Sequence, residues 1–274
     1  MMKKSFQTPG PLALDIRLAA GSIDLETAET GETDVEVEPM DSAARELIDD
    51  VRVELRDARE GQELRIEVPE RRGFFGRNPS FAVRVQCPHS TTVETRTRSA
   101  DVDARGRFGS FASKGASGDV EVEHVEGVTA IHTASGDIAL ELGAGPIVVN
   151  TASGDVTIGR SAGQITANLV SGDLTVREAD GQIEAHTVSG DQRLDAVGAG
   201  TVAAASVSGD IVVGVRRGSG VWMDVRSISG DTESELDASD GPPADESKLV
   251  ELRLNTVSGD IRIRRSSAAP ATAE

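Results

Sequence analysis

The chain has no tyrosine, one tryptophan and six phenylalanines among its 274 residues. That scarcity excludes a core built around large rings, which normally supply the biggest buried areas per side chain. A single cysteine, Cys87, excludes an internal disulfide and leaves the redox compartment open. No run approaches the roughly 18 apolar residues a bilayer span requires, so membrane insertion is not expected. Basic residues are outnumbered: 28 Lys+Arg stand against 46 Asp+Glu, a formal net charge of −18. Such a surface repels phosphate backbones and anionic lipid, which argues against nucleic acid as a partner. It favours cations and basic partners. The opening stretch MMKKSFQTPGPLALDIRLAAGS has two lysines but no apolar segment behind them, and Pro9, Gly10 and Pro11 break it. It reads as a poor signal peptide, so a cytoplasmic location is expected.

Glycine, by contrast, is abundant at 29, and much of it is periodic. The triplet Ser-Gly-Asp begins at Ser117, Ser135, Ser153, Ser171, Ser189, Ser208, Ser229 and Ser258. The intervals are 18, 18, 18, 18, 19, 21 and 29 residues, and a degraded copy, Ser99-Ala100-Asp101, lies 18 before the first. Repeats at a fixed period signal an architecture of stacked units. A second glycine, eight residues before the serine, recurs at Gly109, Gly127, Gly145, Gly163, Gly181 and Gly200. Each repeat therefore holds two short segments between two glycine turns.

Both segments alternate. After the triplet come Val120, Ile138, Val156, Leu174 and Ile211, and two residues later Val122, Leu140, Ile158, Val176, Leu194 and Val213. Six before the serine stand Phe111, Ile147, Ile165, Ile183, Val202, Met223 and Leu252. Period two is the mark of a strand with one buried face. The columns are uniform: aliphatic on aliphatic, and Thr133, Thr151, Thr187 and Thr256 on one another. In an antiparallel meander, equivalent strands would be about 9.6 Å apart; in a solenoid they stack at about 4.8 Å. Uniform columns favour direct stacking. The fold class expected is all-β: a parallel β-solenoid with two strands per 18-residue coil, right-handed by the usual chirality of parallel crossovers.

About nine coils are expected over 93–265. Residues 1–92 lack the period but alternate like strands and contain one helix-like stretch, DSAARELIDD, with Asp41 or Ser42 as its cap. This β-rich region is expected to cap the N-terminal end of the solenoid. RRGFFGRNPS reads as a loop, SELDASDGPPADESK as an exposed insertion, and 266–274 as a disordered tail. DIRIRRSS reads as a charged last strand that discourages end-to-end pairing.

The triplet at 18-residue steps, the loop RRGFFGRNPS followed by FAVRVQCP, and the segment ARELIDDVRVEL before it resemble bacterial β-strand-repeat proteins of the "putative adhesin" family. It is a family of unknown function, common in actinobacteria. The resemblance covers nearly the whole chain. It implies a β-solenoid and carries over no catalytic residues.

Stacking places Asp119, Asp137, Asp155, Asp173, Asp191, Asp210, Asp231 and Asp260 in one ladder, with Asp101 before them. Carboxylates about 4.8 Å apart repel by roughly 1 kcal/mol per pair in water, so something must offset them. A structural turn ladder, each carboxylate accepting backbone N–H groups, is preferred. A calcium ladder is disfavoured, because one Asp per 18 residues falls short of the 6–8 oxygens Ca²⁺ takes. His132 and His186 share a column with Asn150 and Asn168 between them. Three coils, about 14 Å, keep the two histidines from one metal and make them an exposed polar ladder. His89 and His124 have no partner pattern. No nucleophile elbow, phosphate loop or zinc spacing is present. The irregular stretch VGVRRGSGVWMD, together with the 237–248 insertion, is where a carbohydrate-active enzyme site could be built, around Arg216, Arg217 and Trp222. The expected function is non-enzymatic: a binding or scaffold protein displaying ladders of Thr, Asn and Asp, with no cofactor. Its expected partner is an unidentified protein or glycan. A self-assembling cytoskeletal-type scaffold is the alternative, and the oligomeric state is left open.

Overall fold

The structure is a computed structural model and describes residues 1–59, 61–69, 78–236 and 249–266. The loop core 70–77, the insertion 237–248 and residues 267–274 of the tail lie outside the described residues. The chain divides into two compact units, Met1–Ile138 and Ala139–Glu274.

The first unit contains β1 Met2–Gln7, β2 Leu12–Ala28, β3 Glu32–Pro39, α1 Ser42–Leu47, β4 Arg52–Ala58, β5 Gly61–Glu67, β6 Ser80–Pro88, β7 Thr91–Lys114, β8 Val120–Val125 and β9 Thr129–Ser135. The long strand β2 organises it. Its first half pairs in parallel with β5 and with the start of β7, placing Leu14 beside Leu64 and Val93. Its second half pairs in parallel with β6 and the middle of β7, placing Ile23 beside Val83 and Val102. The coil pattern therefore runs back into β2, where Ala20-Gly21-Ser22 lies in register with Ser99-Ala100-Asp101. Gly21 has φ +126°, and a Cβ there would sit 1.8 Å from the Phe81 carbonyl oxygen, so only glycine fits. The remaining partners are antiparallel: β3 on β6, β1 on β3, and β4 on β5.

DSAARELIDD forms α1 followed by a 3-10 turn, Ile48–Asp50. Asp41 caps the helix by accepting the Ala44 N–H at 2.7 Å, and its other oxygen accepts the Ser80 N–H at 3.0 Å. One carboxylate thus ties the helix start to β6. On the outer face of β2, Asp15 is almost fully buried by guanidinium groups: Arg96 at 3.0 Å, Arg17 at 3.2 Å and Arg65 at 3.2 Å. A carboxylate removed from water needs such partners.

Cys87, the last residue but one of β6, is fully buried. Burial pushes its thiol up to about 11, against a small opposing effect of the Thr91 hydrogen bond. At pH 8 on the order of 0.1% of the folded protein carries the thiolate, so alkylation is expected to be negligible until denaturant is added. The raised value means that this group's stabilising contribution is complete below pH 9 and is lost as pH rises from 9 through about 11. With no tyrosine and only four lysines, that window is uncrowded. Denaturation midpoints measured from pH 8 to 11 should fall for the native chain and stay flatter for Cys87→Ala.

The second unit continues with β10 Ile138–Gly143, β11 Ile147–Ser153, β12 Val156–Ser161, β13 Ile165–Ser171, β14 Leu174–Ala179, β15 Ile183–Ser189, β16 Gln192–Val197, β17 Gly200–Ser208, β18 Ile211–Val215, β19 Gly220–Ser229, β20 Thr232–Ser234, β21 Leu249–Ser258 and β22 Ile261–Arg265. Every second strand pairs in parallel. Ile147, Ile165, Ile183 and Val202 are successive neighbours, so equivalent side chains touch as a solenoid requires. Val156, Leu174, Gln192 and Ile211 form the matching column of the other strand set. These columns are buried and make the core from branched aliphatics rather than rings. Gln192 is the polar exception. Its amide N–H groups reach Thr187 Oγ1 at 2.9 Å and the Ala205 carbonyl at 2.8 Å.

The last coil departs from chain order. β17 pairs with β21, and β21 in turn pairs with β19. Likewise β18 pairs with β22 and β22 with β20. The coil β21–β22 is thus inserted between its two predecessors, and β19–β20 forms the outer rung. This corrects the expectation that DIRIRRSS is the terminal strand. Its Ile261 and Ile263 are buried, while Arg262 and Arg264 pair with Asp260 and Asp195. Ser266, expected in the tail, is also buried, and its N–H donates to the Val215 carbonyl at 2.8 Å.

Candidate binding surface

The turn after each second strand sets the candidate site. In the first unit the Asp119 N–H donates to the Asp101 carboxylate at 3.0 Å, and the Asp137 N–H to Asp119 at 2.8 Å. In the second unit Asp173 donates to Asp155 at 2.9 Å, Asp191 to Asp173 at 2.8 Å, and Asp210 to Asp191 at 2.8 Å. The inserted coil keeps the pattern, with Asp260 donating to Asp210 at 2.8 Å and Asp231 to Asp260 at 3.0 Å. Each carboxylate that accepts in this way receives a backbone N–H from the next rung. A hydrogen bond to a charged acceptor is worth about 1.5–3 kcal/mol when shielded and less when exposed, enough to match the repulsion between rungs.

Asp173→Ala is expected to cost about 1 kcal/mol, because the Asp191 N–H loses its acceptor. Asp173→Asn keeps an acceptor oxygen and removes one charge from the column. It should lie within about 0.5 kcal/mol of the native chain, as for an ordinary surface change. Chemical denaturation of the two variants checks both values.

The other expected ladders fare differently. Thr133, Thr151, Thr187 and Thr256 are buried, not displayed. Their hydroxyls donate to turn carbonyls: Ser135 at 2.9 Å, Ser153 at 3.1 Å, Gly190 at 3.3 Å and Gly209 at 3.3 Å. They lie two residues before the serine, on the same inward side of the strand as the aliphatic columns. Asn168 donates to Asn150 at 3.0 Å, and His186 stacks next to Asn168 with Glu184 3.3 Å from its ring. His132 lies beside Lys114 in the first unit. His89 meets Thr27 at 2.9 Å. Among the described residues, no group of three or more His, Cys, Asp or Glu side chains is placed to hold a metal. Arg216 is held by Asp180 at 2.6 Å and Glu178 at 3.4 Å, while Arg217 is exposed and Trp222 stands on the outer rung.

One surface was missed in the sequence. The residue just before each serine points outward, and in the second unit that column is aliphatic: Val170, Val188, Val207, Val257 and Ile228, in spatial order. The four valines are 46–54% exposed and Ile228 is 80% exposed. Five rungs at about 4.8 Å make a stripe on the order of 19 Å long. It runs beside the serine and Asp columns, so one edge of the unit is apolar on one side and anionic on the other. Large contiguous exposed apolar surface on a soluble protein commonly marks an interaction site.

A groove of about 660 Å³ also crosses the outer face of β1, β3, β6, β2 and β7. Its charges are largely paired with one another, Lys3 with Glu36 at 3.1 Å and Arg105 with Asp103 among them. Among the described residues no helix is long and apolar enough to cross a membrane.

A family model described as Toastrack DUF4097 matches residues 13–264. Solved structures of similar extent include a putative adhesin from Parabacteroides distasonis, 12% identical over 95% of this chain and 96% of that one, with a TM-score of 0.49. A putative adhesin from Bacteroides fragilis is 14% identical over 96% of each chain, with a TM-score of 0.39. A protein described as a putative lipid binding protein, also from Parabacteroides distasonis, is 11% identical over 96% of each chain, with a TM-score of 0.35. No curated protein matches the chain.

Proposed function

Given that the chain belongs to the Toastrack DUF4097 family, we propose that it is a non-enzymatic binding scaffold whose second unit docks a protein partner along one edge. The observation that carries this reading is the exposed aliphatic column Val170, Val188, Val207, Val257 and Ile228 beside a column of carboxylates. Aliphatic side chains left half in water at five successive rungs gain free energy when covered, at roughly 25 cal/mol per Å² of apolar area. The neighbouring Asp column adds orientation and favours a partner with basic residues alongside its apolar ones. In this reading Asp119, Asp137, Asp155, Asp173, Asp191, Asp210, Asp231 and Asp260 have a structural role first: they hold the turns in register and present a regular anionic edge. No cofactor enters.

The test pairs two substitutions on adjacent rungs, Val188→Glu with Val207→Glu. Both positions are half exposed, so the melting transition should be retained. Affinity capture from native lysate should recover a protein with the native chain and lose it with the double variant. Recovery of the same proteins by both chains would refute the assignment of this edge.

A further inference from the structure

The outer rung of the second unit is a sheet edge of unusual composition. Among the described residues β19 is paired on one side only, to β21. Natural edge strands are usually blunted by lysines, proline, bulges or short length. At the margins of the first unit, β1 carries Lys3 and Lys4, and β4 carries Arg52, Glu54 and Arg56. β19 is ten residues long, contains no proline, and exposes Trp222 at 50%, Met223 at 41% and Ile228 at 80%.

We propose that β19 is a two-fold self-association edge, pairing antiparallel with β19 of a second copy of this chain about an axis through Val225. This goes beyond the binding reading above and does not depend on it. The sequence of the strand selects the partner and the register. Pairing about Val225 sets Asp224 opposite Arg226 of the second copy, and by symmetry Arg226 opposite its Asp224. It sets Trp222 opposite Ile228 twice over on the same outward face. On the inward face Met223 meets Ser227, and Val221 meets Ser229. Opposite charges and aromatic–aliphatic pairs directly across an antiparallel ladder are the favourable cross-strand combinations. A shift of the axis by one residue forfeits this. Centring on Asp224 opposes two aspartates, and centring on Arg226 opposes two arginines, which is destabilising. Within one chain Asp224 and Arg226 already lie 3.2 Å apart, so pairing builds a four-charge square of alternating sign. Because each copy contributes the same strand, the contact consumes the edge of both, and growth stops at two.

The experiment uses the full chain. Sedimentation velocity over a concentration series should show conversion from monomer to dimer. Trp222 is the only tryptophan, so its emission should shift to the blue and its acrylamide quenching fall over the same range. Asp224→Arg alone and Arg226→Asp alone should each weaken dimerisation at least about tenfold, by opposing like charges across the axis. Combining the two restores the complementarity and should restore the dimer. A chain monomeric throughout the series overturns the proposal. So does a dimer indifferent to the single substitutions, or one that the combined variant fails to rescue, since either must use another surface. Far-ultraviolet circular dichroism and melting of all variants exclude loss of fold as the cause.

Discussion

Gly172→Ala should destabilise the second unit by about 4 kcal/mol or more, enough to unfold a domain of ordinary marginal stability. Two causes add. Gly172 has φ +125°, where an L side chain is strained by roughly 1–3 kcal/mol. A Cβ there would also lie 2.2 Å from the carbonyl oxygen of Gly154 on the adjacent rung. That oxygen belongs to backbone held in place by the Gly154 N–H bond to Ser171, so it cannot swing aside as a flexible side chain would. Relief requires the coils to separate, and the next rung repeats the problem, since a Cβ on Gly190 would meet the Gly172 oxygen at 2.1 Å. Gly218 separates the two causes. Its φ is +88° but nothing lies within 4 Å of its missing Cβ, so Gly218→Ala should cost only the conformational part, about 1–2 kcal/mol. Equal losses for the two variants in urea titrations would mean that the rungs are not in contact at the triplet glycine.

The same stacking explains which features could be read from the sequence. A column repeats because its members touch, so Ile147, Ile165 and Ile183 announce parallel in-register pairing without any coordinates. The strands before residue 92 were legible from alternation, and the helix from its Asp41 cap. Which side a column faces takes one further count. Counting in steps of two from the buried Ile165 reaches Ala167 and then Leu169, so the threonine column two before the serine had to be inward and the valine column one before it outward. The count thus puts the threonine column inside and the valine column in water, as their burial shows. Other features could not be read so. Ala20-Gly21-Ser22 is a coil turn without the Asp, recognisable only beside Ser99-Ala100-Asp101. Asp15 looks like any strand carboxylate until Arg17, Arg65 and Arg96 arrive from three separate segments. The exchanged order of the last coils is invisible for a physical reason. All three candidate rungs carry the same aliphatic column, so Val202 accepts Leu252 as readily as Met223, and pairing energy alone names no order.

That exchange has a measurable consequence, and it is the second large effect expected. Leu252 lies between Val202 and Met223 and is fully buried. Leu252→Ala should therefore cost about 2–5 kcal/mol, the loss of transfer free energy plus a cavity flanked on both sides. Met223 occupies the same column on the outer rung and is 41% exposed. Met223→Ala, measured dilute enough to keep the chain monomeric, should cost about 1 kcal/mol, since the site opens to water and little cavity forms. Stacking in chain order predicts the reverse, with Leu252 last and lightly packed and Met223 enclosed. The sign of the difference between the two losses thus reports the spatial order directly. The reason an interior place suits the later coil lies in its charges. Arg262 lies 3.8 Å from Asp210 on the adjacent inner rung and Arg264 lies 3.2 Å from Asp195 one rung further in, while Asp260 pairs with Arg262 from within the same coil. One rung further out, the intervening coil would separate these arginines from Asp210 and Asp195. Leu252→Ala combined with Arg264→Ala should add to within about 0.5 kcal/mol, because one change opens the core and the other acts on the surface.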